Sequence, residues 1–474
     1  MKIKCIHICS WLIVLLLFGP NAAKGQLPLV LPDILSDHAV LQRNDTVKLW
    51  GRGPGSFNLQ IIASWRTADT ITIEIPASGT WITDLRTPAK GGPYTISFIC
   101  AKDTQVISDI LIGDIWLCSG QSNMEFSGAW GIDKTDTACR FESNNEIRFF
   151  EVEKNYGDLP VGDCKGRWVK CTPESAIAFS TVGYFFGKQI NAVERLPVGL
   201  IGAYWGGTNI QTWMPTEIFR DSIAKESVAY IEPYGWAPKG VASLYNAMIF
   251  PLRNYRLRGC IWYQGEANVD WDWTRYSSLL SDMVASWRRL FSRSLPFYAV
   301  EIAPWTGYKG LRAAALREQI QKGSSLIPQF GSVGISDLVP DTTDIHPIMK
   351  RSVGERLAAM ALKEVYGHEE LNPYAPAIAS VIFRMNSATV AYSSAGPLIS
   401  KSKTVNGFQL AGEDGIFHPA KAMLQKGNKI NVVAAAVSKP VALRYCFENA
   451  AIPGLFGQTG LPLKQFRSDN YPIN

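Results

Sequence analysis

Cys118-Ser119-Gly120-Gln121-Ser122-Asn123-Met124 follows the apolar run Ile115-Trp116-Leu117, and this change of composition predicts the end of a buried strand. Gly120 allows a sharp turn at that point, because glycine takes backbone angles that other residues avoid. Ser122, just past the turn, would have its hydroxyl clear of the sheet, where a nucleophile meets its substrate. Because glycine, serine and asparagine are also frequent in ordinary loops, the rest of the chain has to decide between the two interpretations.

The pattern of residues 109–372 is typical of an α/β domain, because apolar runs alternate there with amphipathic helical patterns. The apolar runs are 115–117, 198–201, 260–263, 297–302 and 330–335. Continuously apolar strands are expected where helices cover both faces of a sheet, and strand–helix alternation predicts a mostly parallel sheet in three layers. Residues 276–290 and 353–361 have the spacing of helices. Two stretches, about 131–175 and 213–255, do not fit the alternation and are predicted to be insertions near the site.

Both ends of the chain are predicted to be rich in β-strands. Residues 26–108 show short alternating strands between turn residues, which indicates a small β-sandwich. The alternation returns in 373–474, where Asn406-Gly407 and Asp414-Gly415 are hairpin-turn dipeptides. The sequence therefore predicts an α/β protein in which a three-layer parallel-sheet domain, 109–372, is flanked by N- and C-terminal β-sandwich-like segments.

The start of the chain has the pattern of a secretion signal. Lys2 and Lys4 precede the apolar run 11–18, and small residues before Gln26 predict cleavage at that point. We therefore expect a signal peptide at 1–25 and an exported protein, either periplasmic or extracellular. No other run is apolar and long enough to predict a membrane span in the mature chain.

Charge and cysteine content exclude some classes of partner. Loss of the signal peptide would remove three lysines and no acid, so the formal net charge would fall from +6 to +3. This near-neutral balance, without a basic block, gives no indication of nucleic-acid binding. Seven of the nine cysteines would remain, and a disulfide among Cys139, Cys164 and Cys171 is a candidate in an oxidising compartment. The absence of any CxxC pair argues against a cysteine zinc site.

Polar and glycine-rich segments follow four of the predicted strands. They are Gly120-Gln121-Ser122-Asn123, Gly202-Ala203-Tyr204-Trp205-Gly206-Gly207-Thr208, Gln264-Gly265-Glu266-Ala267-Asn268 and Asp341-Thr342-Thr343-Asp344-Ile345-His346-Pro347. In an open parallel sheet, ligands bind beyond the carboxyl ends of the strands. The four segments should therefore meet at one edge of the sheet, and this convergence favours a nucleophile over an ordinary loop.

The residues of these segments suit acyl transfer. Ser122 needs a base to take its proton, and His346 is the best candidate because imidazole titrates near neutral pH. A carboxylate should orient His346 and stabilise its charged form. Asp344, two residues away, and Glu266, on the neighbouring loop, are both candidates for that acid. Asp344 could instead cap the helix that begins near Pro347.

The negative charge that develops on the carbonyl oxygen during acyl transfer needs hydrogen-bond donors aimed at it. We expect the backbone N–H groups of Ser122 and Gly207 to provide two of these donors, since a glycine loop lets the backbone approach closely. The side-chain amide of Asn268 or of Gln264 is a candidate for a third donor. Asn268 could instead make an ordinary loop hydrogen bond.

Other chemistries fit the sequence less well. It contains no GxSxG nucleophile elbow, no HExxH metal motif and no P-loop. Glu266 and Asp344 could form the paired carboxylates of a glycoside hydrolase. That interpretation, however, leaves Ser122 and His346 without a role.

Three blocks of the chain resemble a known family. Gly120-Gln121-Ser122-Asn123-Met124, Trp262-Tyr263-Gln264-Gly265-Glu266-Ala267-Asn268 and Asp344-Ile345-His346-Pro347 look like the signature blocks of bacterial sialate O-acetylesterases, which belong to the wider SGNH-hydrolase group. The resemblance extends to Ser36-Asp37-His38-Ala39-Val40-Leu41-Gln42-Arg43 and covers nearly the whole mature chain. It implies a serine esterase that removes O-acetyl groups from sugars through an acyl-enzyme intermediate, without a metal or organic cofactor.

The same resemblance implies Ser122 as nucleophile and His346 as base, and it leaves the acid open. Many SGNH enzymes have the acid three residues before the histidine, where this chain has Thr343, and the nearby acid is Asp344 instead. In relatives of this subgroup, a glutamate at the position of Glu266 is the alternative.

The resemblance also leaves the sugar and the oligomeric state open. Similar proteins act on acetylated sialic acid, and others act on plant polysaccharides such as acetylxylan. A site specific for sialic acid would need a cation for its carboxylate, for which Arg275, Arg312 and Lys309 are candidates. A non-catalytic glycan-binding protein is the rival from another class, although such a module has no need of Ser122, His346 and an acid together.

Overall fold

The computed structural model describes residues 28–220, 223–231, 235–400 and 405–473. The predicted signal peptide, 1–25, lies outside these residues. Within the described ranges, no helix is long and apolar enough to cross a membrane.

The N-terminal region contains two groups of antiparallel strands that share one hydrophobic cluster, and a short first strand that runs parallel to residues 111–113. Its strands are β1 (Val40–Gln42), β2 (Thr46–Arg52), β3 (Asn58–Ala63), β4 (Ile71–Glu74), β5 (Thr80–Arg86) and β6 (Gly91–Cys100). β2 pairs with β5, while β3 pairs with both β4 and β6. Trp81 of β5 and Phe98 of β6 are buried in the shared cluster, with ring centroids 5.9 Å apart. Contact between the two groups explains the period of two in the sequence, since alternate residues of a strand face the same side.

One long strand, β7 (Asp103–Gly120), joins this region to the centre of the molecule. Its first part pairs antiparallel with β6, and its last residues have parallel neighbours on both sides. The predicted boundary between residues 108 and 109 lies inside β7, so the two regions share a continuous strand. The division of the chain into 26–108, 109–372 and 373–474 stays a prediction.

The central sheet contains the five apolar runs of the sequence. Its further strands are β8 (Asn144–Glu151), β9 (Trp168–Cys171), β10 (Val198–Tyr204), β11 (Gly259–Tyr263), β12 (Phe297–Val300) and β13 (Phe330–Val333). Across the sheet the order is β13-β12-β11-β7-β10-β8-β9. These neighbours are parallel except for β8 and β9, which are antiparallel. The predicted α/β class is therefore confirmed as a mixed sheet, whose antiparallel edge strand β9 comes from the stretch 131–175.

Helices pack against side chains from both faces of β7. The α-helices of the described residues are α1 (Ser122–Glu125), α2 (Pro173–Ala178), α3 (Thr181–Glu194), α4 (Ile223–Ser227), α5 (Tyr276–Leu290), α6 (Arg312–Leu326) and α7 (Lys350–Glu364). Ile115 and Leu117 share a hydrophobic cluster with α5, whereas Trp116 shares a second cluster with α3 and α7. Burial on both sides explains why this run is continuously apolar. The helices predicted at 276–290 and 353–361 are confirmed, while the finer expectation of three layers stays a prediction.

The C-terminal region forms an antiparallel sheet around a hydrophobic cluster of its own. Its strands are β14 (Ala377–Arg384), β15 (Ser387–Ser393), β16 (Ile399–Ser400), β17 (Val405–Ala411), β18 (Phe417–Gln425), β19 (Lys429–Val433), β20 (Ala442–Tyr445), β21 (Leu455–Phe456) and β22 (Phe466–Arg467). Seven of them follow the order β14-β15-β19-β18-β17-β20-β22, and β16 pairs with β21. The segment predicted as sandwich-like is thus one seven-stranded sheet with a short two-stranded pair.

All seven cysteines of the described residues are free and buried. The disulfide considered for Cys139, Cys164 and Cys171 is therefore wrong. Burial raises the pKa of Cys164 to about 12 and that of Cys171 to about 11. These thiols stay protonated at neutral pH, which makes them unreactive.

Candidate active site

Ser122 is the first residue of α1 and comes just after the end of β7. The turn between them depends on Gly120, whose φ is +140° and where a Cβ would lie 2.2 Å from the carbonyl oxygen of Tyr263. The Gln121 N–H donates to the same carbonyl at 3.0 Å, which fixes the turn against the end of β11. Ser122 is therefore held at the carboxyl edge of the sheet by a turn that only glycine fits.

The hydroxyl of Ser122 lies next to the ring of His346, on the loop after β13. Ser122 Oγ and His346 Nε2 are 2.9 Å apart. Burial and the nearby ammonium of Lys350 lower the pKa of His346 below its ordinary value of 6.5, and the carboxylates of Asp344 and Glu125 oppose this shift. The ring is therefore neutral at pH 7 and able to accept a proton from Ser122.

The two candidate acids occupy different places. Asp344 Oδ1 accepts a hydrogen bond from the backbone N–H of His346 at 2.8 Å and lies 3.9 Å from His346 Nδ1, which is beyond hydrogen-bond distance. The Asp344 side chain is 55% exposed. Glu266 is buried, and its Oε1 accepts from Asn123 Nδ2 at 2.6 Å. The structure thus places Asp344 beside the imidazole and binds Glu266 to the residue after the nucleophile.

A buried lysine, which the sequence did not single out, connects the segments of the nucleophile and the base. Lys350 Nζ donates to Asn123 Oδ1. Asn123 Nδ2 in turn donates to Glu266 and, at 3.1 Å, to the carbonyl of Ile345. Burial lowers the pKa of Lys350 to about 7, although nearby carboxylates act in the opposite direction. The residue after the nucleophile is thereby tied to the residue before His346.

Two glycines bring the loop after β10 against the nucleophile. A Cβ on Gly206 would lie 3.1 Å from Ser122 Cβ, and a Cβ on Gly207 would lie 2.1 Å from the ring of Trp236. The N–H of Gly206 already donates to Glu125 Oε2 at 2.7 Å. Gly207 lines the same cavity as Ser122, and its N–H makes no hydrogen bond to any of the described residues.

The amides of Gln264 and Asn268, both considered as oxyanion donors, are buried and bonded to other groups. Gln264 Nε2 donates to Asn268 Oδ1 at 2.8 Å and to the carbonyl of Thr208 at 3.0 Å. Asn268 Nδ2 donates to Gln211 Oε1 at 3.0 Å. Neither side chain is among the described residues that line the cavity. Both amides instead hold the loops after β10 and β11 together.

Gln121 is the amide that does line the cavity, although its sequence pattern did not mark it as an oxyanion donor. Its Oε1 accepts from the backbone N–H groups of Gly265 at 3.3 Å and Ala267 at 3.2 Å. Because a backbone N–H only donates, these contacts identify the oxygen of the amide. Its Nε2 has no hydrogen-bond partner among the described residues, so a free donor stands next to Ser122.

A cavity of about 230 Å³ opens beside the nucleophile. The lining residues are Gln121, Ser122, Gly207, Trp236, Glu266, Ala267, Asp270, Trp271, Trp305, Tyr308, Ile345 and His346. This volume is below the range of about 300–1,000 Å³ for pockets that take drug-sized ligands. The cavity therefore suits one small group, with the rest of a larger substrate outside it. In the described part of the chain, no three His, Cys, Asp or Glu side chains come together as a metal site.

Comparison with known proteins adds to this geometry. A family model described as carbohydrate esterase, sialic acid-specific acetylesterase, matches residues 112–363. The sialate O-acetylesterase of Pongo abelii is 27% identical over 375 residues, which are 71% of each chain. The sialate O-acetylesterase of Homo sapiens is 26% identical over 376 residues, again 71% of each chain.

The fold also matches a solved structure over nearly its full length. A carbohydrate acetylesterase from Xanthomonas citri shares 33% identity and superposes with a TM-score of 0.84. The match covers 94% of this chain and 100% of the other. The similarity therefore includes the β-rich ends as well as the central sheet.

Proposed function

Since the chain belongs to the sialic acid-specific acetylesterase family of carbohydrate esterases, we propose that it removes O-acetyl groups from sugars with Ser122 as nucleophile and His346 as base. The chain is thus a carboxylic ester hydrolase by its family. The observation that carries the mechanism is the 2.9 Å distance between Ser122 Oγ and His346 Nε2 at the cavity. A glycan-binding protein without activity would have no use for this pair.

The first half of the reaction transfers the acetyl group to the enzyme. His346 Nε2 accepts the hydroxyl proton while Ser122 Oγ attacks the carbonyl carbon of the acetyl ester. As the tetrahedral intermediate collapses, the bond to the sugar oxygen breaks, and His346 gives its proton to that oxygen. The sugar leaves as an alcohol, and the acetyl group stays on Ser122.

The second half of the reaction releases acetate. A water molecule attacks the acetyl carbonyl while His346 takes one of its protons. The bond to Ser122 then breaks, and the proton returns to Ser122 Oγ. The same donors serve both halves, because each passes through a tetrahedral intermediate with negative charge on the former carbonyl oxygen.

The proposed oxyanion donors are the N–H groups of Ser122 and Gly207 and the Nε2 group of Gln121. Gly207 and Gln121 line the cavity beside Ser122, and their donors are free of other described partners. Gln264 and Asn268 are left out of this set, because their side-chain N–H groups donate to other residues. They support the site indirectly, because Gln264 Nε2 also donates to Gln121 Oε1 at 3.1 Å.

We assign Asp344 rather than Glu266 as the acid that stabilises the imidazolium. Asp344 is the carboxylate near the ring of His346, and its charge raises the pKa of that ring. Glu266 accepts from Asn123 and so orders the segment of the nucleophile. A modest rearrangement of the exposed Asp344 side chain would close the distance to Nδ1 when His346 becomes charged.

The proposal includes two substrate classes and export. The curated relatives are named as sialate O-acetylesterases, which supports an acetylated sialic acid, and a plant polysaccharide such as acetylxylan is the alternative. The signal-like pattern of 1–25 supports a periplasmic or extracellular protein. N-terminal sequencing of the exported form would give Gln26 as the first residue, and a retained leader would contradict export.

Substitution of the nucleophile tests the mechanism. We expect Ser122→Ala to lower kcat for an aryl acetate by about 10⁴-fold or more, since loss of the catalytic serine removes covalent catalysis. Initial-rate assays on the purified protein measure this effect, and circular dichroism checks the fold.

The matched control is Ser325→Ala, which removes a hydroxyl at the end of α6 that donates to the carbonyl of Lys322. This variant should keep full activity. Full activity in Ser122→Ala would exclude Ser122 as the nucleophile.

A further inference from the structure

The side chain of Asn123 joins three other segments of the site. Asn123 is fully buried, with 0% exposure. Its Oδ1 accepts from Lys350 Nζ, and its Nδ2 donates to Glu266 Oε1 at 2.6 Å and to the carbonyl of Ile345 at 3.1 Å. Because Asn123 directly follows the nucleophile in the chain and Ile345 directly precedes the base, this one amide holds the two reacting residues at a fixed separation.

The orientation of the Asn123 amide is set by groups of opposite charge. An ammonium only donates hydrogen bonds, and an ionised carboxylate only accepts them. Lys350 therefore selects the end of the amide that carries Oδ1, and Glu266 selects the end that carries Nδ2. If the amide were turned round, its N–H groups would face the ammonium, and the carbonyl of Ile345 would lose its donor.

The protein compensates the burial of the Lys350 ammonium. Lys350 is 0% exposed, and its Nζ lies 4.8 Å from the ring centroid of Phe126 and 5.3 Å from that of Tyr263. Aromatic rings attract a cation, and Glu266 supplies the opposite charge. A buried cation is strongly unfavourable without such partners. The arrangement therefore keeps a positive charge next to the segment of the nucleophile.

The same charge acts on the base. The Phe126 ring lies near both groups, with its centroid 6.4 Å from that of His346. Lys350 lowers the pKa of His346 in addition to the larger effect of burial, while Asp344 and Glu125 raise it. Lys350 has a pKa of about 7, so it carries its charge at the lower pH at which His346 becomes protonated.

We propose that Lys350 is a positioning residue for the esterase reaction, and that its charge acts through the Asn123 amide to hold Ser122 and His346 at hydrogen-bond distance. The inference rests on the proposed esterase mechanism and adds a residue to it. Lys350 is not among the described residues that line the cavity. It therefore acts on the reacting side chains and not on the substrate.

Lys350→Met, which keeps the length of the side chain and removes its charge, is the first test. We expect kcat for an aryl acetate to fall by about 10²-fold, since a small misplacement of reacting groups has an effect of this order. KM should stay near the wild-type value. The fall in activity at low pH should move to higher pH, because a charge that lowers the pKa of His346 is gone. Profiles of kcat and KM against pH measure these effects, and circular dichroism checks the fold.

The role of the charge is tested by removing its partner as well. Lys350→Met leaves the Glu266 carboxylate buried without a cation, which is strongly unfavourable. In the double variant Lys350→Met/Glu266→Gln, both charges are absent, and the new amide can donate to Asn123 Oδ1. We expect its kcat to be several-fold above that of Lys350→Met. Its fall in activity at low pH should remain at the higher pH, because the cation is still missing.

A further pair of variants tests whether Lys350 acts through Asn123. Asn123→Ala removes the amide, so kcat should fall with Lys350 still present. Addition of Lys350→Met to Asn123→Ala should then lower kcat by less than about twofold, because two residues that act as one unit have non-additive effects. A full further loss of kcat would show that Lys350 acts by another route.

The matched control is Lys363→Met on the same helix. Lys363 Nζ donates to the carbonyl of Glu369 at 2.7 Å at the surface, and its loss should leave both kcat and the pH profile unchanged.

The outcomes separate this inference from the esterase proposal. A wild-type kcat in Lys350→Met, or a wild-type pH profile, would contradict the positioning role. A double variant with Glu266→Gln that is no more active than Lys350→Met would show that Lys350 acts by packing alone. If Lys350→Met fails to fold, the neutral double variant still supplies the pH profile. Absence of activity in the wild-type protein would contradict the esterase proposal itself.

Discussion

His346 has to be uncharged to take the proton of Ser122, and its surroundings keep it so. Burial and the Lys350 ammonium both lower the pKa of the ring, and Asp344 acts against them. The neutral form therefore persists below pH 6.5, the ordinary pKa of histidine. Activity should accordingly fall only as the pH drops through the lowered pKa, where His346 becomes charged and can no longer act as a base.

The choice between Asp344 and Glu266 as the acid can be tested on the acid limb of the pH profile, which is the fall in activity as His346 becomes protonated. Asp344→Asn removes a charge that raises the pKa of His346, so we expect the limb to move to lower pH. Loss of the partner for the imidazolium should also lower kcat by about 10²–10⁴-fold. Profiles of kcat/KM against pH for the wild type and the variant measure both effects.

Glu266→Gln is the matched variant for that experiment. Because Glu266 is bound to Asn123 and not to the imidazole, its loss should leave the midpoint of the acid limb near the wild-type value. A larger shift and a larger loss of kcat in Glu266→Gln than in Asp344→Asn would make Glu266 the acid instead.

At the scale of elements, the site depends on how strands and helices meet. The parallel register pairs Gly120 of β7 with Tyr263 of β11 and with Tyr204 of β10. Three strand ends therefore lie side by side, and the loops that follow them carry the nucleophile, the glycine donor and Glu266. The helix α7 then begins at Lys350, which holds Asn123, so its position against α3 matters for the nucleophile.

The contact between α3 and α7 should be sensitive to a single methyl group. A Cβ on Gly354 of α7 would lie 2.5 Å from the carbonyl oxygen of Val182 in α3. We expect Gly354→Ala to force the helices apart, to lower the free energy of unfolding by about 1–3 kcal/mol, and to reduce kcat because Lys350 lies one turn earlier. Urea denaturation and aryl acetate assays measure the two effects.

Gly162→Ala is the matched control, since a Cβ there meets nothing within 4 Å. It should change neither stability nor activity by a measurable amount. Wild-type stability in Gly354→Ala would show that α7 is free to adjust and does not position Lys350 through this contact.

At the scale of the whole molecule, the C-terminal region supports the loop that supplies Trp305 and Tyr308. Asn449 Nδ2 donates to the carbonyls of Tyr308 at 3.0 Å and Gly310 at 2.8 Å, and its Oδ1 accepts from Ala313 N at 3.0 Å. The buried side chain of Arg317 in α6 also donates to the carbonyl of Glu448. A region far from Ser122 in the chain thus helps to shape the cavity.

Asn449→Ala tests this support. The variant leaves three backbone groups without their partner, and the loss at the two buried ones, Tyr308 O and Ala313 N, is unfavourable by about 1–3 kcal/mol each if water does not replace the amide. We expect a higher KM for acetylated sugars and a smaller effect on an aryl acetate, because Trp305 and Tyr308 of this loop line the cavity that the proposed substrate enters. Asn372→Ala, at an exposed position, is the control. An unchanged KM would mean that the loop keeps its shape without the C-terminal region.

The sequence by itself determined five strands of the central sheet, the helices α5 and α7 and the strand-end segments of the site. These follow from local patterns: a continuous apolar run such as 115–117 marks a strand buried on both sides, and glycine at 120 marks the turn after it. Because parallel strands end at one edge, the placement of Ser122 and His346 on such ends predicted that they would meet, and the structure places them 2.9 Å apart.

Only the tertiary structure decided which polar side chains already have hydrogen-bond partners within the protein and which keep an unpaired donor. In the sequence Gln121, Gln264 and Asn268 are equivalent amides. In the fold, the side-chain N–H groups of Gln264 and Asn268 donate to other residues, whereas Nε2 of Gln121 has no partner among the described residues. Lys350 resembles any surface lysine until α7 buries it against Asn123, 227 residues away in the chain. The physical reason is that the environment of a polar group is set by contacts distant in sequence, which no local pattern records.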